Sequence, residues 1–282
     1  MILLCAFLSF VTIRAQEKSV SRETYCIPVR SIKTEDLAFQ AGETLHFTMH
    51  YEWGAIDSDV GSATVVLDTM VFNGQDVFKC SVNGKTTRMF DLFFKVREDF
   101  QAWFTCDGLK PLKFTRDTHE GHYVAKNSYI YDWGAAQPYI SADVYSSSSG
   151  QRQLELPLTS CTYDLPALFF LARNMDIENI VPGRRYPMTF AIDDDVYNVH
   201  FILYGRETVK VKGLGTVKTI KFAARLIAGE IFNGEEDMMV WISDDENRIP
   251  VKFEAPILVG TASGRLKSYE GLKYPFSSLI KK

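Results

Sequence analysis

The sequence predicts an all-β fold, mainly antiparallel, in which two related half-barrel repeats form one curved sheet or barrel with one central helix. Three observations predict it. Aromatic residues make up 13% and hydrophobic residues 46% of the 282-residue chain, with few long Ala/Leu/Glu/Lys runs, a bias toward pleated, half-buried surfaces. Short segments of period-2 alternation recur between Asn-Gly and Asp-Gly turn signals. The chain also repeats itself: residues 98–114 read EDFQAWFTCDGLKPLKF and residues 236–253 read EDMMVWISDDENRIPVKF. Upstream, Gly42 lies 32 residues before Gly74, and Gly183 lies 32 before Gly215. Self-similarity of this kind constrains architecture before any local reading does.

The elements follow in chain order. Residues 1–15 read as a signal peptide, nearly all apolar from Ile2 to Ile13 with cleavage after Ala15. Residues 16–38 are a polar, irregular leader that drapes over the body. The first β repeat spans 39–145. Its first strand shows Leu45, Phe47, Met49 and Tyr51 alternating with Thr44, His46, Thr48 and His50. Ser62–Leu67 and Val77–Val82 flank the Asn73-Gly74 turn, and Phe100–Thr105 and Leu112–Thr115 flank Asp107-Gly108. Two Tyr-rich strands, Tyr123–Tyr131 and Tyr139–Tyr145, complete it. Residues 146–181 read as a loop and helix linker, with Asp164 as N-cap and Pro166 in the first turn of an all-round apolar helix. The second β repeat, 182–275, carries strands over 197–204, 207–212, 216–226, 237–243, 249–254 and 257–269. Residues 39–275 are expected to fuse into one domain, because either half alone leaves an apolar face bare.

Composition narrows function mainly by exclusion. A net charge of −4 lacks the concentrated basic face of a nucleic-acid binder. After residue 15 no stretch approaches the ~20 apolar residues of a membrane span. Removing residues 1–15 takes away Arg14, leaving 30 basic against 35 acidic groups and a mature charge of −5. Export to the periplasm places Cys26, Cys80, Cys106 and Cys161 in an oxidising compartment. Three pairings are possible. The preferred one joins Cys80 to Cys106 within one repeat and Cys26 to Cys161 between leader and linker.

Several motifs are similar to a known group. Ala41-Gly42-Glu43-Thr44-Leu45-His46-Phe47, Gly61-Ser62-Ala63-Thr64, Tyr163-Asp164-Leu165-Pro166-Ala167-Leu168, Trp241-Ile242-Ser243-Asp244-Asp245 and Arg248-Ile249-Pro250-Val251 resemble the bacterial envelope family catalogued as domain of unknown function 3108. The resemblance covers roughly residues 39–270 and implies an exported, β-rich protein of Gram-negative bacteria. It brings no reaction and no catalytic residues. A looser architectural similarity links the pattern to lipoprotein-carrier half-barrels, whose curved sheets enclose an apolar cavity.

No catalytic constellation is visible, no cofactor is implied, and no metal site is expected. His46 and His50 share a strand face but stand ~13 Å apart. His119 and His122 flank a turn with no evident third ligand. Asp193-Asp194-Asp195 and Asp244-Asp245-Glu246-Asn247 read as turns, with a weak cation site as the alternative. The ligand candidates are aromatic: Phe90, Phe93, Phe94, Trp103, Phe169, Phe170 and Trp241. They serve either as core or as the wall of a pocket for an apolar or lipid-like molecule. The reading is therefore an exported, non-enzymatic, monomeric binding protein of the cell envelope. The alternative is a structural or interaction protein of an outer-membrane assembly, with a solid core and an envelope protein as partner.

Overall fold

The computed structural model describes residues 27–225, 237–256 and 260–281. The segment expected to be a signal peptide, Cys26 and Glu236 lie outside the described residues. Within them the alternating segments become β1 (Glu43–Trp53), β2 (Ile56–Phe72), β3 (Gln75–Thr86), β4 (Val96–Thr105), β5 (Pro111–Glu120), β6 (Tyr123–Asp132), β7 (Tyr139–Ser146), β8 (Gly150–Pro157) and β9 (Thr162–Tyr163). Helix α1 (Leu165–Ala172) follows. Then come β10 (Arg185–Ile192), β11 (Asp195–Val211), β12 (Gly215–Arg225), β13 (Asp237–Ser243), β14 (Pro250–Pro256), β15 (Thr261–Glu270) and β16 (Leu279–Lys281). All belong to one 16-stranded sheet, ordered β8-β7-β6-β5-β4-β3-β2-β1-β15-β14-β13-β12-β11-β10-β9, with β16 pairing on β12. The short β9–β10 pair is parallel and the other pairings are antiparallel. The sheet starts and ends on different strands, so it is curled but open.

Two meanders meet where β1 pairs with β15, Thr44 opposite Glu270 and Glu52 opposite Thr261. Local chemistry sets the hairpins. Asn73 and Gly74, at φ 50° and 80°, take the two positive-φ positions of a two-residue turn whose twist matches the flanking strands. The segment expected to be loop and linker holds β8 and β9 as well as the helix. Two further strands lie outside the sequence expectation: β10, in which Tyr186, Met188 and Phe190 alternate with Arg185, Pro187 and Thr189, and the three-residue β16, too short to show a period. The strands expected over 197–204 and 207–212 are one long β11, bulged between Leu203 and Gly205.

Helix α1 forms as its cap signal requires: Asp164 is extended, and its side chain accepts the Ala167 N–H at 2.9 Å. The helix fills one end of the curl. Phe170 is fully buried, with ring centroids 4.6 Å from Phe39 and 5.7 Å from Phe104. Inward residues of the first meander (Leu45, Leu67, Cys80, Ala102, Phe114 and Tyr129) complete that core at 0–1% exposure. In the second meander, Phe201, Phe222, Val240 and Ile242 pack on Met175, Ile177 and Ile180 just after the helix.

The described part of the leader, residues 27–38, packs into the body. Val29 bridges Met175, Arg30 N–H donates to the Asn174 carbonyl, and Leu37, Ala38 and Phe39 are buried. Arg173, at the C-terminus of α1, ties these pieces together. Its guanidinium is paired with the Glu43 carboxylate, both side chains 1% exposed, and it donates to the carbonyls of Ala38 and Asn247. It also lies 5.2–5.5 Å from the Phe39 and Phe170 ring centroids. Asn247 in turn holds Tyr274 and Pro275 of the C-terminal tail. A buried ion pair this completely hydrogen-bonded fixes geometry more than it adds stability.

Candidate functional site

The structure does not bring the seven aromatic candidates to one wall. Phe170 is core, and Phe169 packs beside it, centroids 5.1 Å apart. Trp103 and Trp241 lie on strand faces opposite their inward neighbours Ala102 and Val240. Each is clamped between two lysines from the flanking strands. Lys79 and Lys113 stand opposite Trp103, with ammonium groups 5.4 and 4.8 Å from the ring. Lys221 and Lys252 stand opposite Trp241 at 4.9 and 4.8 Å. The indole N–H donates to the Met70 sulfur in one case and to Glu207 in the other. These cation–π clamps cover both tryptophans from solvent, and Trp241 also belongs to the buried hydrophobic core.

Phe90, Phe93 and Phe94 lie elsewhere, on the loop between β3 and β4. Thr87 N–H donates to the Val60 carbonyl, the Phe90 ring packs on Tyr51 at 6.4 Å, and Phe94 lies against Gly121 of the β5–β6 turn. Arg97 binds Asp91 at 2.5 Å, and this pairing together with the Thr86 hydroxyl lowers the Asp91 carboxyl to about 2. The loop is thus held in shape, yet its tip is apolar and bare. Leu92 and Phe93 are each 82% exposed and Met89 is 68% exposed. The β1–β2 hairpin at the same end adds exposed Trp53 and Ile56. Sequence reading found the apolar density of residues 89–94, Met89 and Leu92 included, but missed Trp53 and Ile56. The available signal was that an aperiodic apolar run, bracketed by Arg88 and Lys95, sits where a hairpin connection was due.

Below that rim the inner face turns polar. Along β5, Arg116, Thr118 and Glu120 follow Phe114 on one face, and Glu98 of β4 stands opposite Thr118. Arg116 donates to the Thr118 hydroxyl at 2.7 Å, which donates to Glu98 at 2.5 Å. Burial, and then the neighbouring Glu120, push the Glu98 carboxyl up to about 8. Arg116 also binds Asp193 at 2.7 Å, Tyr129 donates to the Asp193 carbonyl at 2.6 Å, and Arg152 of β8 binds Asp194 at 2.7 Å. The β10–β11 turn therefore reaches across the curl and is gripped by β5, β6 and β8. Side chains, not ladder hydrogen bonds, bring the sheet's two ends together.

This also resolves the acidic clusters as tethered turns. Asp245 accepts from the hydroxyls of Ser243 and Ser278, Asp244 pairs with Arg206, and Glu246 pairs with Arg30. Among the described residues no group of His, Cys, Asp or Glu is placed to hold a metal. His50 bonds Asp57 and Asp59, His46 bonds Thr64, and His119 lies outward beside Asp117.

The cysteine expectation needs one correction. Cys80 and Cys106 are free thiols. Cys80 stands opposite Ala102, four residues from Cys106 along β4, or ~13 Å of strand. That is about twice the Cα separation a disulfide spans. Cys161 is buried and engaged, and its expected partner Cys26 lies outside the described residues.

Two surface grooves are present. One of about 850 Å³ is lined by Val211, Gly213, Leu214, Tyr269 and Leu279, and one of about 380 Å³ by His46, Ser62, Thr64, Lys85 and Lys267. Neither contains a predicted ligand residue. Among the described residues no helix is long and apolar enough to cross a membrane.

The model of a protein family of unknown function, DUF3108, matches residues 46–267. No curated protein matches the chain. Among solved structures the chain is similar to a beta-barrel-like protein of domain of unknown function DUF1849 from Brucella abortus, with a TM-score of 0.54 at 10% identity, covering 83% of this chain and 100% of that one. A protein described as a "putative lipoprotein" from Parabacteroides distasonis aligns over 83% of this chain and 99% of its own, with a TM-score of 0.31 at 12% identity. At such identities the first likeness speaks to the fold alone.

Proposed function

We propose that this chain, which belongs to the DUF3108 family, is a non-enzymatic interaction protein of the cell envelope that works through its apolar rim. The observation that carries this reading is the β3–β4 loop, which presents Leu92 and Phe93 at 82% exposure on a framework braced by Arg97, Tyr51 and Gly121. An apolar tip presented to solvent on a hydrogen-bonded and ring-packed framework is an interaction device. The alternative of a lipid held inside loses support because Phe39, Phe104 and Phe170 fill the helix end of the curl. The polar Arg116–Thr118–Glu98 chain lines the other end.

In the same reading, residues 1–15 direct export to the periplasm and are removed, and Cys26 pairs with Cys161. Residues 39–145 and 182–275 are two related repeats, a relation supported by their matching Lys–Trp–Lys clamps.

The test is a photocrosslinking side chain in place of Phe93 in whole cells. Adducts at that position, with the bare polypeptide mass by native mass spectrometry, are expected. No adduct, together with a bound small molecule lost on organic extraction, would return the protein to the carrier class.

A further inference from the structure

Resting on the rim reading, we propose that the β3–β4 loop docks the protein onto a membrane surface rich in anionic lipid, its apolar tip entering the interface and its flanking cations meeting the headgroups. The tip is convex and small: Met89, Leu92 and Phe93 project, while Phe90 and Phe94 turn back to anchor the loop on Tyr51 and Gly121. A stable protein partner needs a broad complementary face of roughly 800 Å² per side, which a single projecting turn does not offer. Lipid needs only a few apolar side chains at the depth of the acyl boundary with basic residues beside them.

The charges fit that partner. Lys85, Arg88 and Lys95 are exposed on the loop and its stems, and the loop's one carboxylate, Asp91, is already taken by Arg97. The β3–β4 loop, unlike the neighbouring hairpin with its Glu52 and Asp57, is therefore locally basic on a chain whose net charge is −4, the complement of an anionic leaflet. Trp53 and Ile56 on the neighbouring hairpin are exposed at the same end, and tryptophan favours the headgroup level.

Purified protein is sedimented with vesicles of phosphatidylcholine alone, or with about one third phosphatidylglycerol. The wild type is expected to bind the anionic vesicles, and L92S/F93S to bind about tenfold more weakly. R88E/K95E is expected to lose the preference for anionic over neutral vesicles. V71S/V181S, which alters exposed apolar residues away from the rim, is expected to bind as wild type does. Near-ultraviolet circular dichroism confirms that each variant is folded. Wild type absent from both pellets, equal binding to both vesicles, or unchanged binding by L92S/F93S overturns the proposal. If vesicles fail while the photocrosslinker at position 93 captures a protein, the lipid assignment falls and the rim reading stands. If both fail, both fall.

Discussion

Asp164→Asn is expected to flatten much of the protein's pH dependence without unfolding it. Asp164 is fully buried at the N-cap of α1, where it accepts from the Ala167 N–H at 2.9 Å and from the Tyr131 hydroxyl at 3.3 Å. Desolvation outweighs both hydrogen bonds and pushes its carboxyl from 3.8 up to about 7. The folded protein therefore keeps this proton until about pH 7, whereas the unfolded chain releases it near 3.8. Between those values the unfolded state binds fewer protons, so stability falls as pH rises and levels off above pH 7. From pH 5 to pH 8 the group crosses about two pH units of that window at 1.36 kcal/mol each, a loss of about 3 kcal/mol. Asparagine caps a helix as well as aspartate does and carries no charge, so this loss vanishes in the variant. Urea unfolding of both proteins at pH 5, 6.5 and 8 reads it directly. Glu98, raised from 4.5 to about 8 by burial, acts with the same sign, so the variant still weakens toward pH 8, but less. The same fall in stability from pH 5 to pH 8 in both proteins would refute the reasoning.

Three further outcomes are expected. Arg173→Met leaves the Glu43 carboxylate buried and unpaired, costing about 3–5 kcal/mol by urea unfolding, and adding Glu43→Leu recovers most of it; no recovery would show that Arg173 acts through its other contacts. Gly264→Ala drives a methyl group into the Phe253 ring and is expected to cost about 1–3 kcal/mol in thermal unfolding, relieved by Phe253→Leu. Under native conditions a maleimide is expected to modify Cys106, whereas Cys80, fully buried with its thiol pushed up by desolvation, reacts only after denaturation; mass spectrometry after timed quenching separates the two.

Periodicity made much of the fold legible. In β1, Leu45, Phe47 and Met49 alternate with polar partners because one face meets the core and the other does not, so burial writes itself into the sequence. Strand β8, with the burial of only Leu156, breaks that rule, whereas β10 obeys it from Tyr186 to Phe190 and its alternation went unread. The helix was legible because Asp164 and Pro166 are local signals. The two tryptophans share a motif in the sequence, but their clamping between lysines of the flanking strands does not show there. A ring covered by two lysine stems is as buried as one packed among apolar side chains, and composition does not distinguish them. The Arg116–Asp193 and Arg173–Glu43 pairs join residues 77 and 130 positions apart, a distance over which no local pattern reports.

The seam where β1 lies beside β15 also sets an order of assembly. Thr44 lies near the start of the sheet in sequence and its partner Glu270 near its end, so this contact spans most of the chain. As the polypeptide emerges from its N-terminus, β1 to β8 can zip as successive hairpins, each new strand meeting its predecessor at once. One side of β1 stays without its neighbour until residues 261–270 arrive, an exposed strand edge of the kind that recruits other chains. A chain cut short before residue 261 would keep that edge permanently, so truncated products should aggregate even though most of the sheet has formed.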